Sequence, residues 1–279
     1  MTTGEDLHFP SPPIWEVGMI LASHEKLFDT YDISAAHDLF RREFPRVSRQ
    51  SPVDLLGTQL TNASGIHSLD PEDPPLRWFF ESEAGTDVIQ LQQSLIGRNW
   101  RRTTLPPKMV LPYPGFDHLL RGLVDQVSVF GAWHEGKYQQ KLPEPAICEL
   151  LYDNFIPNTS FEGERMRLSS IIRPLAFDGK NPIVGLNMGW EESPFIDRPL
   201  QQGTNAPGPR LTIGITHGGV QGPGSSEPVS IVRLIMTARA EVETWVGAFD
   251  FFQEAHLTIR KRFMELTEPA AHAMWNTPQ

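Results

Sequence analysis

Leu76-Arg77-Trp78-Phe79-Phe80, then Ser82-Glu83-Ala84-Gly85-Thr86, then Val88-Ile89-Gln90-Leu91-Gln92-Gln93-Ser94-Leu95, is the stretch that decides how this chain folds. Aromatic and β-branched residues on both sides of a short glycine-containing connection predict a β-hairpin. In the second strand, two-residue alternation puts Ile89, Leu91, Gln93 and Leu95 on one face and Val88, Gln90, Gln92 and Ser94 on the other. One face suits a core; the other is polar but uncharged. The hairpin then runs into Asn99-Trp100-Arg101-Arg102.

Working outward, Ile14 to Ala22 reads as a strand, because Pro12-Pro13 suits the entry to a strand and not its middle. Ser34 is placed to cap a helix carrying Ala36, Leu39, Phe40 and Phe44, which Pro45 ends. Asp54 to Gln59 reads as a further strand, and Gly65 to Pro75 as a loop. After Pro112 to Gly115, the apolar positions Phe116, Leu119, Leu120, Leu123, Val127 and Phe130 mark one stripe of a helix.

Beyond a joint at Lys141 to Pro145, strands are expected at Ile147 to Ile156, Ser170 to Phe177, Ile183 to Trp190, Leu211 to Thr216 and Val229 to Ala238. Loops are expected at Gln201 to Pro209 and Gly218 to Pro228. No helices lie between these strands to carry parallel crossovers, so the sheet should be antiparallel. Trp245, Phe249, Phe252, His256, Ile259, Phe263 and Leu266 alternate spacings of four and three, the seam of a closing helix about 34 Å long with Thr244 as its cap. The fold expected is therefore α+β. It comprises two similar serial units, residues 1–142 and 143–279, each a mostly antiparallel curved sheet packed on a long helix.

Composition narrows the function classes. The 279 residues carry a formal net charge of -10, so the overall field repels nucleic acid and anionic membranes. No apolar run approaches a spanning length, and Met1 to Pro13 lacks the basic start and apolar core of a signal peptide. The single cysteine, Cys148, cannot form an internal disulfide and reads as a small buried hydrophobe, which together fits a cytoplasmic location.

Several residues resemble a family. The opening Pro12-Pro13-Ile14-Trp15-Glu16-Val17, the run from Gln90-Leu91-Gln92 to Asn99-Trp100-Arg101, Tyr113-Pro114-Gly115-Phe116, and Ala255-His256 ahead of Phe263 are similar to a sporadically distributed bacterial family of about this length that has no assigned activity. That distribution implies an accessory role in a phage-defence, immunity or mobile-element locus. It also implies action through another protein, encoded by a neighbouring gene; a second copy of the chain is a separate candidate partner. The resemblance supplies no catalytic residue.

The residues themselves offer no catalytic constellation. His134, His217 and His256 lack metal-ligand spacing, the Gly214 to Gly224 region has no following helix or lysine for phosphate, and no Gly-x-Ser-x-Gly occurs. No metal and no cofactor is expected, and His256 reads as a core histidine. Asn99, Trp100, Arg101 and Arg102 have two readings. Trp and Arg are the side chains that anchor interfaces, but large aromatics are usually buried, with neighbouring arginines paired locally. Gln90 and Gln92 could read a peptide backbone, line a polar pocket, or sit on a solvated sheet face. These six residues are the candidate binding set, and no catalytic residue is assigned. The function expected is a non-catalytic protein-binding accessory protein. The alternatives are a small-molecule binder with a cavity between sheet and helix, or an enzyme with dispersed groups.

Overall fold

Ile14–Ala22 forms β1, the strand on which the rest of the sheet is built, and it pairs on both edges. The computed structural model describes residues 12–53, 55, 76–103, 112–157, 186–195, 208–220 and 229–275. The other strands are β2 (Arg46–Gln50), β3 (Arg77–Glu81), β4 (Asp87–Gln92), β5 (Leu95–Arg101), β6 (Ile147–Pro157), β7 (Leu186–Glu192), β8 (Arg210–Val220) and β9 (Val229–Glu241). They form one antiparallel sheet in the order β2-β3-β4-β5-β1-β6-β9-β8-β7. Where a separate sheet was expected for each half, β1 pairs with β6 from Ile14↔Asn154 to Ala22↔Ile147, so the two halves share a single layer.

The helices are α1 (Ile33–Asp38), α2 (Phe116–Tyr138), α3 (Trp245–Leu266) and α4 (Pro269–Trp275). α2 packs on β5, and α3 on β6 and β9. The register places Val17, Met19 and Leu21 beside Trp100 and Ile96 on one side, and beside Tyr152, Leu150 and Cys148 on the other. These side chains and Leu234, Met236 and Ala238 of β9 are buried beneath the helices. All six expected apolar positions of α2 are buried. In α3 the buried stripe is Ala248, Phe251, Phe252, Ala255, Ile259, Phe263 and Leu266, while Trp245 and Phe249 are half-buried. The stripe is rotated from the expected seam, with the small residues Ala248 and Ala255 on the side that faces the sheet. Thr244 caps α3 as expected, accepting from the Gly247 amide at 3.0 Å.

Other elements differ from expectation. The hairpin is a three-stranded meander, because the chain reverses at Gln93-Ser94 and continues as β5. Leu95 pairs with Gln92 and therefore shares its face, not that of Ile89 and Leu91. The helix expected from Ser34 to Phe44 is the short α1 with Asp32 at its N-cap, followed by turns, and β2 follows directly after Pro45. α3 ends at Leu266, and a further short helix, α4, begins at Pro269. The strand expected at Ser170 to Phe177 and the loop at Gly65 to Pro75 lie outside the described residues, as does nearly all of Asp54 to Gln59.

The sheet face away from α2 and α3 carries a row of polar side chains across six adjacent strands. Arg77 donates to Gln90 at 3.4 Å, Gln90 donates to Asn99, and Asn99 donates to Glu16 at 2.6 Å. Glu16 stands directly opposite Asp153, which holds Arg233 through two oxygens at 2.6 to 3.0 Å. Gly18 makes room for the row, since a Cβ there would lie 3.0 Å from the Asn99 amide nitrogen. Arg233 also lies over Phe155, whose ring stacks on Trp15 at 4.6 Å.

Candidate functional site

Gly115 adopts φ 96 and ψ 155, a backbone region closed to residues with a Cβ, and this sharp entry starts α2 without a side-chain cap. The bend directs Tyr113 and the first turn of α2 toward the facing turns of α3. Between them, above the β1 and β6 ends of the sheet, lies a cavity of about 680 Å³. α2 contributes Phe116, Asp117, His118 and Arg121. α3 contributes His256, Ile259, Arg260, Phe263 and Met264, which fall on one helical face. The sheet supplies Ile14, Tyr152 and Asn154, and Pro12-Pro13 closes one rim.

The polar wall is a chain of rings. The Tyr152 hydroxyl lies 2.8 Å from His256 Nδ1 and 3.5 Å from the Tyr113 hydroxyl, the second separation being long for an O–H···O bond. Phe116 stacks face to face on His256, with centroids 4.1 Å apart and planes inclined by 6°. Burial pushes the His256 imidazole down to about 4, the Arg260 charge pushes the same way, and Asp117 opposes both. Burial also raises the Tyr152 and Tyr113 hydroxyls above the usual phenol range. All three groups are therefore neutral at pH 7. If Tyr152 donates to Nδ1, the chain ends in the His256 Nε2–H donor; with the opposite tautomer it ends in the Tyr113 O–H. Either way the chain has one donor end and one acceptor end.

The six expected binding residues fall into two groups. Gln90 and Asn99 are buried on the other face of the sheet, joined to each other and to Glu16. Gln92 is buried beside them and brackets Val53, accepting from its amide at 3.0 Å and donating to its carbonyl at 2.9 Å, as a neighbouring strand would. Arg101 pairs with Glu81 at 3.2 Å on that face. Trp100 and Arg102 instead stand behind the cavity. Trp100 is buried edge-on to Tyr113 at 5.2 Å. Arg102 lies over Trp100 and donates to the carbonyls of Ile14 at 2.7 Å and Pro12 at 3.3 Å, holding the proline rim. None of the six lines the cavity.

Sequence reasoning passed over Tyr113 and Tyr152 as site residues and placed His256 in the core. The usable signal was the helical spacing of His256, Ile259, Arg260 and Phe263 together with a tyrosine just ahead of a helix-starting glycine. Cys148 is buried, as expected, and so is His134, whose ring bonds the Gln140 carbonyl at 3.0 Å. Among the described residues no group of histidine, cysteine and carboxylate side chains could hold a metal, and no helix is long and apolar enough to cross a membrane. No family model matches the chain, and no curated protein is similar to it.

Proposed function

We propose that this is a non-catalytic binding protein whose ligand is a small molecule held between α2, α3 and the centre of the sheet. The observation that carries this reading is the cavity of about 680 Å³, with its apolar lining and its neutral Tyr113–Tyr152–His256 wall. Small-molecule sites are typically of this size and combine an apolar surface with a few placed polar groups. General acid–base catalysis favours a group that titrates near the working pH. Here the tyrosines are pushed up and the histidine down, which favours binding over chemistry.

The two serial units expected from the sequence enter the same proposal. In one, a first strand pairs with the last strand before α2; in the other, β6 pairs with the last strand before α3. On that reading the cavity lies at the seam of the two units, each giving one helix. Docking of another protein through Gln90 to Arg102 takes second place, because five of those six side chains are buried.

The test is a thermal-shift screen of a library of organic acids, bases and neutral compounds against the wild-type protein and Met264→Trp. Hits that raise the wild-type melting temperature and leave the cavity-filled variant unmoved are expected. Hits that stabilise both proteins equally, or a library with no hit, would remove the proposal.

A further inference from the structure

The rim of the cavity carries a charge opposite to that of the chain. Among the described lining residues, Arg121 and Arg260 bring two positive charges and Asp117 one negative, a balance of +1 on a protein of net charge -10. The two arginines come from different helices, Arg121 from the second turn of α2 and Arg260 from α3 one turn beyond His256. The uncapped start of α2, with Gly115 offering no side chain, adds the positive partial charge of its first N–H groups beside them. Phe116, Ile259, Phe263 and Met264 give the cavity an apolar side, beside the Tyr113–Tyr152–His256 chain, His118 and Asn154.

Resting on the pocket reading above, we infer that the ligand is a small organic carboxylate with a flat apolar body. In this placement the body lies along the Phe116–Ile259–Phe263 side and the carboxylate meets the arginine rim. Guanidinium groups match carboxylates in a two-point, charge-assisted geometry that a neutral amide does not reproduce. The single excess charge selects a monoanion, because a dianion such as a phosphate monoester would place its second charge against Asp117. The neutral ring chain offers the body one donor or one acceptor without adding charge.

Calorimetric titration of 2-naphthoate, 2-naphthamide and 2-naphthyl phosphate into the full-length protein tests this assignment. The carboxylate is expected to bind about tenfold or more tightly than the amide, the scale of one charge-assisted pair, and more tightly than the phosphate. Arg260→Gln is expected to reduce the carboxylate's affinity to that of the amide while the amide's own affinity stays unchanged; Arg121→Gln, on a more exposed side chain, should do so in part. Equal binding of carboxylate and amide in the wild type, or tighter binding of the phosphate, would overturn the acid assignment and leave the pocket standing. If none of the three compounds binds, or if Met264→Trp binds them as the wild type does, the pocket reading falls as well.

Discussion

Two polar clusters lie on opposite faces of the same sheet and are built on different terms. On the face away from α2 and α3, Arg77, Gln90, Asn99, Glu16, Asp153 and Arg233 form a row in which cations stand at the ends and carboxylates in the middle. Its amides hydrogen-bond to one another and to Glu16, and none of the six side chains lines the cavity between α2 and α3. Under α2 and α3, Tyr113, Tyr152 and His256 form a shorter chain, all neutral, with a donor at one end and an acceptor at the other beside the cavity. Buried polarity alone therefore does not mark a site. The row spans six strands as an Arg77–Gln90–Asn99–Glu16 chain and an Asp153–Arg233 pair; the chain under the helices has hydrogen-bonding capacity facing the cavity.

The sharpest way to break the row is at its charged end. Asp153 is buried, and Arg233 holds it in a bidentate pair although the arginine itself is half exposed. Arg233→Met removes the guanidinium from over Phe155 and leaves the carboxylate unpaired, and is expected to cost about 3 kcal/mol in urea unfolding. Ligand affinity at the opposite face should not change. A loss below about 1 kcal/mol would mean the row is a solvated surface and not an internal support.

For the chain under the helices the largest lever is pH. His256 titrates near 4 in the folded protein and near 6.5 when unfolded, so the unfolded chain binds more protons between those values. Stability from this group is complete above pH 6.5, falls as pH drops toward 4, and levels off below. The loss is up to about 3 kcal/mol. Unfolding free energies measured from pH 7.5 to 3.5 should show this slope in the wild type, and His256→Gln should lack it. A His256 ring titrating near 6.5 by NMR would place the imidazole in water and open the wall of the cavity.

Returning to the row, Asn99→Ala leaves both the Gln90 amide and one Glu16 oxygen without their partner. The expected destabilisation is about 2 kcal/mol, again with unchanged ligand binding.

Much of this architecture was legible because local pattern and tertiary packing agree. The stripe from Phe116 to Phe130, the Thr244 cap, and the apolar strands β6 and β9 all say in sequence what they do in the fold. The Gln93-Ser94 turn was illegible because neither residue is a glycine, asparagine or aspartate, so the alternation appeared to continue straight through it. β2 was missed because an outer strand of sequence Arg-Val-Ser-Arg-Gln needs to satisfy only one neighbour and leaves Val47 exposed. The candidate site was hardest to see. Tyr152 sits inside an apolar strand and meets His256 across 104 positions of chain, a contact that only the packing of α3 on β6 creates. Of the segment from Gln90 to Arg102, Trp100 and Arg102 stand behind the cavity, while Gln90, Gln92, Asn99 and Arg101 lie on the opposite face.

Tyr152→Phe asks the smallest and most discriminating question. The ring, its packing beside His256 and its place in β6 all remain, and only one hydroxyl is removed. Because His256 Nδ1 then faces a cavity wide enough to admit water, the loss of stability should be under about 1 kcal/mol, well below that of Asn99→Ala. Ligand affinity should nonetheless fall, since the donor and acceptor ends of the chain are uncoupled and Nδ1 loses its partner. A variant that loses as much stability as Asn99→Ala while binding ligand normally would show the two clusters to be alike, both of them scaffolding, and would move the site away from these rings.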